Sequence, residues 1–190
     1  MAGNGFFKDP KLIPIQEKVV AGERLTFDEG LALYRSTDLL GVGYLANIVR
    51  ERRHGNKAYY IINQHINYSN VCINGCKFCA FGKEAGDPQA YEMSLEEIFG
   101  KVEERLSEPI TEVHIVGGLH PDLPFSYYLE MLRGIKELRP EVHVQAFTAV
   151  EIFHLAGIAG LDVAETLAAL QEAGLGSLPG GGAEVFSPRI

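Results

Sequence analysis

The sequence predicts an α/β fold in which about four βα units form part of a parallel, barrel-like sheet behind a helical N-terminal segment. From Lys57 onward, short β-branched stretches alternate with amphipathic ones at a spacing of roughly 30 residues, as parallel βαβ units require. Glycines close the strands, as at Gly117-Gly118, whereas Ser or Asp stands where the helices begin. Residues 1–56 show helical periodicity alone. The chain is therefore expected to divide into a helical segment, 1–56, and an incomplete barrel core, 57–190.

In the helical segment Thr26 is placed to cap a helix whose first turn carries Asp28 and Glu29 and whose apolar residues include Leu31, Leu33 and Tyr34. A second helix is expected over residues 38–53, with Leu39, Leu40, Val42, Leu45, Ile48 and Val49 apolar and Gly55 closing it. Its basic end, Arg50-Glu51-Arg52-Arg53, reads as a solvated terminus that complements the helix dipole, not as a binding patch. The core opens with a strand over residues 58–67 and a cysteine-bearing loop. Ser94 before Leu95-Glu96-Glu97 has the spacing of a capping box for a helix reaching Leu106. The second strand is Val113-His-Ile-Val116, and the helix after it, over residues 126–138, is stopped by Pro140. Residues 142–147 form the third strand. Two helices are expected next, over 150–156 and from Leu161, with Asp162 near its cap, to the residue before Gly174. Ser177-Leu178 begins a fourth strand.

Composition excludes several classes. Of 190 residues, 46% are hydrophobic and 22% charged, which is globular rather than disordered composition. Lys and Arg number 17 against 25 Asp and Glu, so the net charge is −8 with no continuous basic stripe, and nucleic acid is not an expected partner. No apolar run approaches the ~18 residues of a membrane span. Residues 1–10 lack the apolar centre of a secretory signal. A cytoplasmic protein without a membrane partner is expected.

All three cysteines, Cys72, Cys76 and Cys79, lie within eight residues, as Cys72-Ile-Asn-Gly-Cys76-Lys-Phe-Cys79. An odd, clustered set is no disulfide framework and points to a metal or iron–sulfur site. Structural zinc closes with four ligands, so a Cys3His alternative would draw on His65, His114 or His120. A [4Fe–4S] cluster that only transfers electrons takes four thiolates; three leave one iron open to the amino and carboxylate groups of a small molecule. Asn74-Gly75 suits the tight backbone of such a wrap.

This C-x3-C-x2-C loop, with the aromatic Phe78 before its last cysteine and a strand before its first, resembles the cluster loop of the radical S-adenosylmethionine (SAM) superfamily. The resemblance implies a partial (β/α) TIM-like barrel preceded by helices, and a [4Fe–4S] cluster held by Cys72, Cys76 and Cys79 with Phe78 in the binding loop. It implies SAM as co-substrate on the open iron, cleaved after one-electron reduction to methionine and a 5′-deoxyadenosyl radical. Gly117-Gly118-Leu119 stands where the family has a Gly-Gly-Glu-like stretch that meets the SAM amino group mainly through its backbone, with Leu119 in place of the acid.

Further stretches resemble the aminodeoxyfutalosine synthases of the futalosine route to menaquinone: Cys79-Ala-Phe-Gly-Lys83, Ala90-Tyr-Glu-Met-Ser94 and Gln145-Ala-Phe-Thr-Ala-Val-Glu-Ile152. Gly117-Gly-Leu-His-Pro121 and Pro179-Gly-Gly-Gly-Ala-Glu184 are shared with sister enzymes, the cyclic dehypoxanthinyl futalosine synthases and the deazaflavin-cofactor synthases. The implied reaction adds the 5′-deoxyadenosyl radical to the enol-ether double bond of 3-[(1-carboxyvinyl)oxy]benzoate and yields 6-amino-6-deoxyfutalosine with loss of bicarbonate. A flavodoxin or ferredoxin is the implied electron donor. A non-enzymatic iron–sulfur or zinc-binding module is the alternative from another class. Polar candidates at the strand ends are Asn67, Tyr68, His120, Thr148, Glu151 and Glu184. Glu184, after a triple glycine that no Lys-Ser/Thr follows, is the favoured catalytic group, in SAM or substrate binding. His114 and His143 alternate with apolar residues and read as packing histidines. Because the family core has six strands, the chain is expected to be an N-terminal part whose last strand leaves an open edge.

Overall fold

The computed structural model describes residues 6–180; the fourth-strand glycines from Gly181 onward and Glu184 lie outside the described residues. The chain divides between Tyr60 and Ile61 into two compact units.

The first unit packs three helices, α1 (Leu12–Ala21), α2 (Phe27–Arg35) and α3 (Leu39–His54), around Phe7, Leu12, Ile15, Val19 and Leu45. Thr26 caps α2 in a reciprocal box with Glu29. Asp38 caps α3 through the Gly41 N–H (3.0 Å), and its other oxygen accepts the N–H of Lys8 (2.7 Å). The basic end of α3 is not wholly solvated. Arg52 donates to the carbonyls of Val19 and Val20, using its guanidinium to close the C-terminus of α1.

The second unit is a parallel sheet of β1 (Asn63–Ile66), β2 (Glu112–Ile115) and β3 (His143–Ala146) in that spatial order. Between and after the strands run α4 (Leu95–Glu103), α5 (Phe125–Leu138), α6 (Ala149–Ala159) and α7 (Val163–Glu172). Alternation sorts the strand residues onto two faces. Ile66, Val113, Ile115, Val144 and Ala146 are buried with Ile98 and Val102 of α4 and Tyr128, Met131, Leu132 and Ile135 of α5. On the same face Gln64 donates to the Lys101 carbonyl (2.7 Å), serving the end of α4. Helices α4 and α5 meet at Gly134, where a Cβ would fall 2.2 Å from the Phe99 ring.

The first strand is shorter than its apolar run. Tyr59 and Tyr60 are exposed, and pairing begins only where the Ile62 carbonyl accepts the N–H groups of Thr111 and Glu112. Upstream, among the described residues, there is no neighbouring strand to pair with. The expected fourth strand is, within the described residues, a single parallel bridge between Gln145 and Ser177. Four helices, α2, α4, α6 and α7, start with reciprocal capping boxes, at Thr26, Ser94, Thr148 and Asp162. Among the described residues, no single helix is long and apolar enough to cross a membrane.

Candidate functional site

The tips of the three strands and the loop after β1 form one hydrogen-bonded assembly. The loop is held at its base: the Cys72 N–H donates to the Lys83 carbonyl (2.9 Å), and the Lys83 N–H to the Asn70 carbonyl (2.8 Å). Asn70 is itself fixed, its amide bonded to the Gln89 carbonyl (2.9 Å) and its side-chain oxygen to the Tyr91 N–H (2.7 Å). Beyond this base the loop turns out into solvent. Cys72 is half-buried, Cys76 and Cys79 are exposed, and Phe78 is fully exposed. Tight turns shape it, with the Cys76 N–H on the Asn74 carbonyl (2.9 Å) and the Cys79 N–H on the Cys76 carbonyl (3.0 Å).

The Gly117-Gly118 pair abuts this loop with no space to spare. A Cβ on Gly118 would lie 2.1 Å from the Val71 carbonyl oxygen and 3.0 Å from the Cys72 Cβ. A Cβ on Gly117 would overlap the Tyr68 ring at 2.4 Å. Two backbone bonds stitch the segments together, Gly118 N–H to the Ser69 carbonyl (2.9 Å) and Ile73 N–H to the Leu119 carbonyl (3.1 Å). The glycines are thus required by close approach, of Gly118 to the Val71 backbone and of Gly117 to the Tyr68 ring, not by a left-handed turn; neither has a positive φ.

All three thiols are free. Among the described residues, no three His, Cys, Asp or Glu side chains are gathered into a metal-binding group. Cys72 and Cys79 both border Gly82, where a Cβ would sit 3.4 Å from the Cys72 Cβ and 3.7 Å from the Cys79 Sγ. In type, number and exposure the donors fit a cluster with three protein ligands. Among the described residues no histidine is gathered with them into a four-donor zinc site, and each of the three candidate histidines has a ring nitrogen bonded elsewhere. His65 bonds Asn67 (2.7 Å) and His114 bonds Gln145 (2.8 Å). The buried His120 accepts the N–H groups of Asp122 and Leu123 on Nδ1 and meets the Glu92 carboxylate through Nε2 (2.7 Å).

Of the other strand-end candidates, Tyr68, Thr148 and Glu151 come together. Tyr68 is buried, and its hydroxyl donates to Glu151 Oε1 (3.1 Å) with the Gly118 carbonyl 3.2 Å away. Burial, joined by the neighbouring carboxylate, pushes the Tyr68 phenol well above its ordinary pKa. Asn67 sits apart, on the opposite sheet face with His65.

Sequence reasoning placed His114 and His143 in the packing; the sheet places them on the face away from the core. Here His65, His114 and Gln145 are register neighbours across β1, β2 and β3. The two imidazole rings lie 4.8 Å apart, and His143 bonds the Ser177 hydroxyl (2.7 Å). The signal was present in the alternation itself, His114 between Val113 and Ile115, which assigns the apolar pair to one face and the histidine to the other.

A short parallel sheet, helices on its apolar face and a tri-cysteine loop at its C-terminal tips define the class. Residues 66–190 match the family model of the radical SAM superfamily, and the chain belongs to that superfamily. It is 47% identical over 183 residues to an aminodeoxyfutalosine synthase of Thermus thermophilus, covering 96% of this chain and 49% of that one. It is 45% identical over 172 residues to an aminodeoxyfutalosine synthase of Streptomyces coelicolor, covering 90% of this chain and 44% of the relative. A cyclic dehypoxanthine futalosine synthase of Halalkalibacterium halodurans is 36% identical over 91% of this chain and 47% of its own. The chain thus spans about half the length of the curated relatives it matches. Among solved structures, a methylornithine synthase superposes with a TM-score of 0.58 at 18% identity, over 88% of this chain and 58% of that one. A maturase of the [FeFe]-hydrogenase gives 0.61 at 18% identity, over 93% and 47%. Both share the fold. Membership of the family implies a [4Fe–4S] cluster and SAM.

Proposed function

We propose that this chain carries the cluster and SAM site of an aminodeoxyfutalosine synthase, in which Cys72, Cys76 and Cys79 hold a [4Fe–4S] cluster and the Gly117-Gly118 backbone meets the SAM amino group. The observation that carries this reading is the exposed tri-thiol loop, anchored at Asn70–Lys83 and pressed against Gly118 at the tips of parallel strands. The identity to two aminodeoxyfutalosine synthases supports the choice of branch. Held by Cys72, Cys76 and Cys79, the cluster would supply the electron for reductive cleavage of SAM.

The chain's own residues have three tasks. The loop base fixes the position of Cys72, while the Cys76, Phe78 and Cys79 side chains stay exposed to an incoming cluster. The Leu119 and Tyr68 side chains, both buried, keep water from the strand tips, where a carbon radical must be shielded. The polar row His65, His114 and Gln145 offers hydrogen bonds to a carboxylate-bearing enol ether, the substrate 3-[(1-carboxyvinyl)oxy]benzoate. Glu184 we assign to SAM or substrate binding, and a flavodoxin or ferredoxin to electron supply.

Anaerobic reconstitution with iron and sulfide tests this. About four irons per chain are expected, with an electron paramagnetic resonance signal that changes when SAM is added, and Cys76→Ser is expected to abolish both. Stoichiometric zinc with no response to SAM would favour a zinc-binding module. Conversion of a different substrate, with the SAM response intact, would move the chain to a sister branch.

A further inference from the structure

Glu151 is nearly inaccessible, in the first turn of α6, and its two oxygens face different ways. Oε2 accepts the N–H (2.7 Å) and the hydroxyl (2.9 Å) of Thr148, completing a capping box. Oε1 accepts the Gly117 N–H (3.0 Å) and the Tyr68 hydroxyl (3.1 Å). A cap alone would use only the first pair. The second pair ties α6 to the tips of β1 and β2, the same backbone that Gly118 presses against Val71 and Cys72.

The turn that delivers this carboxylate is strained. Phe147, wholly buried, has φ 61, a left-handed conformation that a bulky residue rarely adopts. It is held there by its N–H on the Ile115 carbonyl (3.0 Å) and by edge-to-face contacts with Tyr68 and Tyr128. Immediately after it, Thr148 and Glu151 swing back across the strand tips.

We propose that Glu151 is a positioning residue that fixes the Gly117-Gly118 backbone against the cysteine loop, so that the SAM-facing edge and the first cluster ligand keep one spacing. The SAM half of this statement rests on the function proposed above; the spacing itself does not. A carboxylate is required because four donors converge on it. In Glu151→Gln the new NH2 must face donors on one side or the other, either Thr148 or the Tyr68–Gly117 pair.

Hydrogen exchange on the metal-free chain reads the positioning directly. In Glu151→Gln the Gly117 and Ile73 amides are expected to exchange roughly tenfold faster, with the Val113 amide in β2 unchanged. Tyr68→Phe, which removes one donor and keeps the carboxylate, should act in the same direction on Gly117 and decides the matter if the first variant does not fold. Acceleration confined to Thr148 and the first turn of α6 would reduce Glu151 to a cap and overturn the proposal. In the reconstituted protein, Glu151→Gln should bind as much iron as the parent but SAM roughly tenfold more weakly. Unchanged SAM affinity would refute the link to SAM. Failure of the parent chain itself to take up iron would sink the proposed function, while the exchange measurement would still judge the positioning.

Discussion

Gly118→Ala isolates the close approach on which the site depends. The added methyl would start 2.1 Å from the Val71 carbonyl oxygen and 2.7 Å from its carbon, both backbone atoms that cannot rotate away. Relief to an ordinary contact needs a displacement of about 1 Å, in a region packed at interior density. That shift breaks or strains the Gly118–Ser69 and Ile73–Leu119 backbone bonds. Two such bonds at about 1 kcal/mol each, with an overpacking cost of about 1–3 kcal/mol, give a loss of about 3–5 kcal/mol. Gly157→Ala is the internal control. Gly157 lies inside α6 with nothing within 4 Å of a Cβ and no positive φ, so the same methyl should stabilise by about 0.5–1 kcal/mol. Urea unfolding of both variants gives the two signs from one assay. A loss below about 0.5 kcal/mol for Gly118→Ala would show that the loop and the glycine edge are not in contact, and the reasoning about the site would fail with it.

Acid should weaken the first unit through two of its carboxylates. The Lys18 ammonium, 2.7 Å away, with the Thr26 N–H, holds the Glu29 carboxyl down at about 2, and the Gly41 N–H and other backbone donors hold Asp38 below its usual 3.8. Both folded-state values are depressed, so the stabilisation is complete above the unfolded values near 4.5 and 3.8 and is lost as pH falls through the folded ones. Carbon-detected titration of Glu29 checks this, and a midpoint at or above 4.5 would contradict it. Ser94→Ala should cost about 1 kcal/mol by removing the cap of α4, while a change under about 0.3 kcal/mol would mean the box is idle.

The range of the forces involved separates the features that residues alone reveal from those they hide. Capping at Thr26, Ser94 and Asp162 was legible because a cap and its Glu three residues on need no distant partner. The start of β1 was not, since the run from Ala58 to Ile62 is as β-prone as the residues after it, and only the position of Thr111 and Glu112 decides where pairing begins. The cysteine loop was legible through its spacing. Glu151 was half legible: Thr148-x-x-Glu151 is a capping pattern, but no local signal shows that the second oxygen reaches Tyr68 and Gly117, which are 83 and 34 residues away. Arg52 shows the same limit, a charge at a helix end whose partners belong to another helix.

The seam between Val71-Cys72 and Gly118 has a bearing on how such proteins can be recombined. Two stretches that lie more than forty positions apart in the chain are cut to each other's backbone contour. A chimera that imports a foreign thiol loop without its matching Gly-Gly-Leu stretch would join two surfaces made for other partners. The smallest transplantable unit is therefore not the loop but the loop together with the strand tip it leans on.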